Sequence, residues 1–337
     1  MSGINQRKRF LGTLLGNGSD RFPFFDLDPD EDTQRRWHKE GLPRRKSVAE
    51  YFNLETHHSV GLMLRSYPFF QKAADLLYDP TSFERRYNPA QPSRYAKDFV
   101  EQAERLHQEG RVLYVDASGG GLLQMLGVGD WDSLVAACVA LVERPQMVED
   151  LVDRTTDFYC VCLEKVLSKV SVDYASMYEP IAYNMGPVIS PRMFERFAIP
   201  GYKKVIDLLK TYRIPLRILC TTGGDLTLLL PSLIDAGING LWISNIRSAG
   251  LAYPKLRRQF GSNIALIGGI DATALARDEA AVRKAIEKTV PELLESGHYL
   301  PCLDDRPRSN IPFANYKAYR QILGEIAQRK RLTQDAI

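Results

Sequence analysis

The sequence has no GxGxxG after its first strand-like run and no GxxxxGK[ST] anywhere, so both common glycine cradles for nucleotide phosphates are missing. Its five cysteines, at 138, 160, 162, 220 and 302, include no CxxC pair. The odd number and the spacing argue against a zinc knuckle or a disulfide frame and for reduced thiols in a cytoplasmic compartment. No stretch approaches about eighteen uninterrupted apolar residues, and the basic N-terminus lacks an apolar core long enough for a signal peptide. A soluble, cytoplasmic protein is expected. Neither sign of charge is in excess: 44 basic against 41 acidic side chains leave a formal +3, which gives no reason to expect nucleic acid or a membrane surface as partner. Histidine is scarce. His38, His57, His58 and His107 fall in predicted helices or loops and His298 at the start of a strand, so histidine general-base or triad chemistry is not expected.

What the chain does have is a repeated strand-then-helix rhythm over 337 residues, with no internal repeat and no linker-like block. Short apolar runs at Phe22–Leu27, Arg111–Ala117, Val172–Met177, Leu216–Cys220, Gly240–Ser244, Ile264–Gly268 and His298–Leu303 predict strands. Between them, the polar stretch Pro29–Lys39 reads as a helical excursion over the surface, and Glu149–Val170, Arg192–Tyr212 and Ala274–Glu295 place apolar residues at helical spacing. Seven such alternations predict a parallel sheet closed into a single (β/α)8 TIM-type barrel over 1–337, with an open doubly wound sheet as the alternative. The polar, proline-rich segment 79–98 (DPTSFERRYNPAQPSRYAKD) predicts a long loop over one end of the barrel.

Barrel enzymes keep their chemistry where the strands end. That rule selects Asp26, Asp116, Tyr178 with Glu179, Cys220 with Thr221 and Thr222, Asn245 with Arg247, Asp271, and Asp304 with Asp305 and Arg306. The rim is rich in carboxylates and arginines. For each acid the plain alternative is a helix N-cap, and Cys220, with no base beside it in sequence, also reads as a small buried hydrophobe. The stretch RILCTTGGDL at 217–226 ends a buried run on Gly223-Gly224, a turn whose backbone N–H groups can face an anion. Arg247, Arg306 and Arg308 can add bidentate contacts to a carboxylate, or pair with Asp304 and Asp305.

Several segments together resemble the uroporphyrinogen decarboxylase superfamily, which includes corrinoid-dependent methyltransferases and O-demethylases. They are DRFPFFDLD with RRWHKEGLP, EYFNL, MYEPIAYNMGPVISPRMFERFAIPGYKKVI, LLPSLIDAGINGLW, IALIGGIDATAL and CLDDRPRSNIPFANY, in order over nearly the whole chain. The resemblance implies a (β/α)8 barrel, closer to the methyltransferase branch than to the haem-pathway decarboxylases, whose RQAGRY segment is absent. Where zinc-dependent relatives carry HxCG and another branch DxDG, this chain has Thr221, Gly223 and Gly224. PLE becomes Ile243-Ser244-Asn245, DH becomes Asp304-Asp305, and EDIAY becomes Glu179-Pro180-Ile181-Ala182-Tyr183, keeping the glutamate. A zinc site is therefore not expected; Glu179, Cys220, Cys302 and Asp304 are the ligand types that remain.

The resemblance puts first a methyl transfer from a small, anionic substrate to a corrinoid carried by a partner protein, with Glu179 or the Asp304-Asp305 pair as acid and Tyr183 beside them. A metal-free decarboxylase or lyase is the second reading and a non-catalytic ligand-binding barrel the third. Asp26, Asp116, Cys220, Thr221, Thr222, Asn245, Arg247, Asp271 and Arg306 are the expected substrate contacts. A second copy of the chain, as a homodimer, is a further partner to be tested.

Overall fold

Among the described residues seven strands of the expected kind occur in chain order, with helix between each and the next. The computed structural model of the chain describes residues 4–63, 79–183, 185–246 and 250–334. The strands are β1 His57–Ser59, β2 Val112–Asp116, β3 Tyr174–Tyr178, β4 Leu216–Thr221, β5 Gly240–Ile243, β6 Ala265–Ile270 and β7 Tyr299–Leu303. Six match predicted runs to within a few residues, because branched and aromatic apolar side chains in short runs bounded by glycine, proline or acids are what a sheet buried on both faces selects. The first differs. Residues 22–27 form no strand, and the first strand is the histidine pair 57–58 with Ser59. Pro23 can donate nothing to a ladder, and Asp26 is drawn into a buried ion pair instead.

The chain divides into two compact units. One consists of His58–Glu109 and Leu113–Asn239 and holds most of β1 and β2 with β3 and β4. Within it β2 pairs with β3 and β3 with β4, all parallel, and Val60 N–H donates to Tyr114 C=O at 2.9 Å. The long helix Pro145–Leu167 turns Val148, Leu151, Val152, Thr155, Tyr159, Cys162, Leu163 and Val166 inward, the three-and-four spacing of one buried stripe. Segment 79–98 is not the loop expected. It contains the helix Pro80–Arg86 and the 3-10 turn Pro92–Arg94. Arg154 and Arg94 lay guanidinium groups over the Phe83 and Phe158 rings, at 3.9 and 4.6 Å, and fasten the segment to the long helix.

The other unit consists of Met1–His57, Gly110–Val112 and Gly240–Ile337. There β5 pairs with β6 and β6 with β7, again parallel. Gly268 and Gly269 both take positive φ, +99° and +84°, and a Cβ on Gly269 would lie 2.6 Å from the Tyr253 ring. That close approach lets the Tyr253 hydroxyl donate to Ile267 C=O at 2.7 Å and accept from Ile243 N–H at 2.9 Å, bridging β5 and β6. Each unit is thus a parallel α/β layer with strand ends facing one way, in keeping with the barrel-type architecture.

Candidate functional site

Side chains alternate across a strand, so register decides which rim residues share a face. On β2 to β4 the aligned pairs are Tyr114 with Tyr174, Asp116 with Ser176, and Tyr178 with Cys220. These six therefore line one face. The Tyr114 and Tyr174 rings stack 4.9 Å apart at 14°, forming its floor. Above them the Ser176 hydroxyl lies 3.3 Å from the Cys220 sulfur. At the strand ends stand Asp116, exposed, and Tyr178, 38% exposed. Thr222 reaches the Tyr178 phenol, whose acidity burial weakens. Asp116 accepts the Ser118 N–H at 2.9 Å, and Ser118 Oγ in turn accepts the Tyr178 N–H at 3.0 Å. Burial pushes the Cys220 thiol up to about 11, so it is held as a neutral thiol at physiological pH.

The opposite face is packed by Val115, Ala117, Ala175, Met177 and Leu219. Glu179 continues that side. Its wholly buried carboxylate accepts the N–H groups of Leu122 and of Leu123 (3.2 Å) and the Tyr202 hydroxyl (3.2 Å). Burial pushes it up to about 7 against the pull of these donors. Gly121 allows this contact, since a Cβ there would lie 2.8 Å from the Glu179 carboxylate. Glu179 thus holds the turn that follows β2 and does not stand on the face of Asp116 and Tyr178.

The loop after β4 also differs from expectation. Thr221 is buried and Thr222 exposed. Gly224 does not adopt the left-handed conformation; it is needed because a Cβ would lie 2.3 Å from the Ala182 carbonyl. The loop docks backbone to backbone on the short ribbon Ala182–Tyr183, with Asp225 N–H donating to Tyr183 C=O at 3.2 Å. The Tyr183 ring itself is 48% exposed.

In the unit that holds β5 to β7, Asp26 is fully enclosed. It accepts from Leu303 N–H (2.9 Å), Tyr316 and Tyr319 hydroxyls (3.0 Å each) and the Arg320 guanidinium (2.9 Å). The adjacent carboxylate raises the Arg320 pKa despite burial. Expected as a substrate contact, Asp26 has every oxygen taken by the fold. Asp304 is 2% exposed, accepts Ala272 N–H at 2.9 Å, and is pushed up to about 6 by burial. Asp305 is turned to its own chain, bound by Arg306 N–H (2.8 Å) and the Arg308 guanidinium (3.1 Å), so the arginine-carboxylate pairing is realised at Arg308. The Arg306 side chain is exposed, as is Asn245, which takes a left-handed φ of 50°. Asp271 caps the 3-10 turn Ala272–Ala276 through Thr273. Arg247 lies outside the described residues. Among the described residues no three His, Cys, Asp or Glu side chains converge as ligands for a metal ion, and no helix is long and apolar enough to cross a membrane.

Ser176 and the Tyr114-Tyr174 floor were not singled out from sequence, although alternation on VDYASMYE would have separated Ser176 and Tyr178 from Glu179.

The uroporphyrinogen decarboxylase (URO-D) family model matches residues 125–302. The chain belongs to the URO-D family. A protein described as uroporphyrinogen decarboxylase from Cupriavidus pinatubonensis is 27% identical over 217 residues, 60% of this chain and 56% of that protein. The match thus spans little more than half the relative's length. A Listeria monocytogenes structure assigned as a vitamin-B12-independent methionine synthase shares 12% identity, covering 72% of this chain and 70% of the other, at a TM-score of 0.37. That likeness is too loose to carry an argument. The match takes in three of the motifs read from sequence, those at 177–206, 229–242 and 264–275.

Proposed function

We propose that this URO-D family chain is a lyase that decarboxylates a small anionic substrate on the face of Asp116, Ser176, Tyr178 and Cys220. The observation that carries the reading is Asp116: an exposed carboxyl at a strand end, on the same face as a hydroxyl, a phenol and a neutral thiol. In the step, the bond from carbon to the substrate carboxylate breaks, carbon dioxide leaves, and the electron pair stays on carbon. A proton delivered by Asp116 then forms the new C–H bond, and solvent replaces it. Tyr178 and Thr222 would hold the substrate through hydrogen bonds. Glu179 acts through the backbone it holds, fixing the turn after Asp116, and is a positioning residue. The name of the Cupriavidus relative supports decarboxylation as the reaction class. Eight-strand closure of the barrel belongs to the same proposal.

A second reading, methyl transfer involving a corrinoid on a partner protein, is favoured by exposed apolar side chains beyond β3 and β4. Tyr183 is 48%, Leu228 65% and Met185 99% exposed, and an edge of this kind suits a bulky partner. The two readings separate in one experiment. The chain is incubated anaerobically with uroporphyrinogen and a panel of small aromatic carboxylates, and with methylated phenols plus cob(I)alamin. Carbon dioxide release that falls about 10²-fold in Asp116→Asn at unchanged melting temperature supports decarboxylation at this face. Release that Asp116→Asn leaves intact moves the chemistry elsewhere. Methylated corrinoid without any carbon dioxide establishes the second reading.

A further inference from the structure

A cleft of about 230 Å³ lies beside the end of β6, wholly within the unit that holds β5 to β7. Its floor is apolar, made by Ile246, Leu251 and the Tyr253 ring, all buried. The helix Glu279–Ser296 forms one wall, and there Ala281 and Ala285 leave room where larger side chains would fill it. Three cations line the same cleft: Arg277, Lys284 and Lys288.

Their arrangement is uncompensated. Lys284 and Lys288 are four residues apart, neighbours on one helix face, where like charges disfavour the helix. On the same helix Arg283 pairs with Glu279 at 3.7 Å and Glu292 with Arg258. Among the described residues none of the three cleft cations has an ion pair. Asp271 is the one acid in the lining, and its Oδ1 is occupied by the Thr273 N–H (3.0 Å) and hydroxyl (2.5 Å). An apolar floor under three unpaired cations fits a molecule with an apolar body and an anionic head.

We propose that this cleft binds a small organic anion, one ring in size, bearing a phosphate or a carboxylate; the space equals roughly eight water volumes. It shares no residue with the face of Asp116 and does not depend on the reaction proposed there. Lys284 and Lys288 clasp the anionic group, Arg277 adds a planar bidentate donor, and the body lies on Leu251 and Tyr253.

Calorimetric titration of the full chain with phenyl phosphate, benzoate and inorganic phosphate tests it. Phenyl phosphate, benzoate or both should bind once per chain with Kd near or below about 1 mM, the stronger of the two identifying the preferred head group. The double variant Lys284→Gln/Lys288→Gln should weaken that binding at least about tenfold. Ala285→Leu fills the cleft and keeps every charge, so it should weaken the ring-bearing ligand and spare inorganic phosphate. Absence of binding by all three probes up to about 10 mM overturns the proposal, as does binding that neither variant changes.

Discussion

Tyr178 and Glu179 are consecutive in the chain and face opposite sides of their strand. Tyr178 is 38% exposed beside Asp116 and Cys220, whereas Glu179 is wholly buried against the Leu122 and Leu123 amides and the Tyr202 phenol. A one-residue step thus separates a side chain that can meet a substrate from one that organises the loop beside it.

All three groups around Glu179 donate, and a carboxylate can accept from each. Glu179→Gln must turn its NH₂ toward one of them and leave a buried donor unmatched. The variant should lose about 1–3 kcal/mol in urea denaturation, with turnover per folded molecule changed less than about tenfold. A fall of about 10² or more at unchanged stability would make Glu179 the acid after all.

Asp26 has the same character in the other unit. Its four donors include the Arg320 guanidinium at 2.9 Å, and both side chains are almost completely enclosed. Asp26→Ala should destabilise by about 3–5 kcal/mol, because it strands a buried cation and two phenols. Arg320→Met should cost a similar amount by stranding the carboxylate. If either variant melts like the wild type but loses ligand binding, Asp26 belongs to the substrate after all.

Gly224 is a matter of space rather than of φ. A Cβ there would stand 2.3 Å from the carbonyl carbon and oxygen of Ala182, and backbone cannot swing aside as a long side chain can. Gly224→Ala should therefore displace the loop at 222–225 and cost at least about 2 kcal/mol. Hydrogen exchange at Asp225, whose N–H donates to Tyr183 C=O, reads the displacement directly. Unchanged exchange and stability would show that the ribbon yields.

Six of the seven strands were legible because a doubly buried strand leaves a continuous apolar run. The first was not: Phe22–Leu27 has the composition of a strand, but a buried ion pair formed with a residue 294 positions away claims Asp26. No local pattern encodes that partner. The helix Pro80–Arg86 was hidden by proline and charge, and its place is set by Phe83 under the Arg154 guanidinium and by Tyr87 stacked on Phe83 and edge-on to Phe158. At the candidate site the strand-end rule named Asp116, Tyr178, Cys220 and Glu179 together. Alternation along one strand divides Tyr178 from Glu179, but placing Asp116 and Cys220 on the Tyr178 side takes register, a relation between strands that a single chain position does not carry. Likewise Gly223-Gly224 reads as an anion cradle in sequence, while the backbone that crosses Gly224 lies 42 residues upstream at Ala182.

Asp304 supplies a pH signature. Burial pushes its carboxyl from the ordinary 3.8 up to about 6, with Asp271 and Asp305 adding repulsion. The unfolded chain gives up this proton near pH 4 and the folded chain near pH 6, so between these values the folded state binds more protons. The sign follows: the group's contribution to stability is unaffected below about pH 4, falls as pH rises from 4 to 6, and is fully unfavourable above that. Asp304→Asn removes the titration and keeps an oxygen for the Ala272 N–H. Whatever constant offset the amide introduces, the stability of the variant relative to wild type should improve by on the order of 2 kcal/mol between pH 4 and 6.5 and then level off. Denaturant midpoints of both proteins across that range measure it. Parallel curves would mean that Asp304 keeps an ordinary carboxylate pKa, its charge satisfied by the amides that surround it.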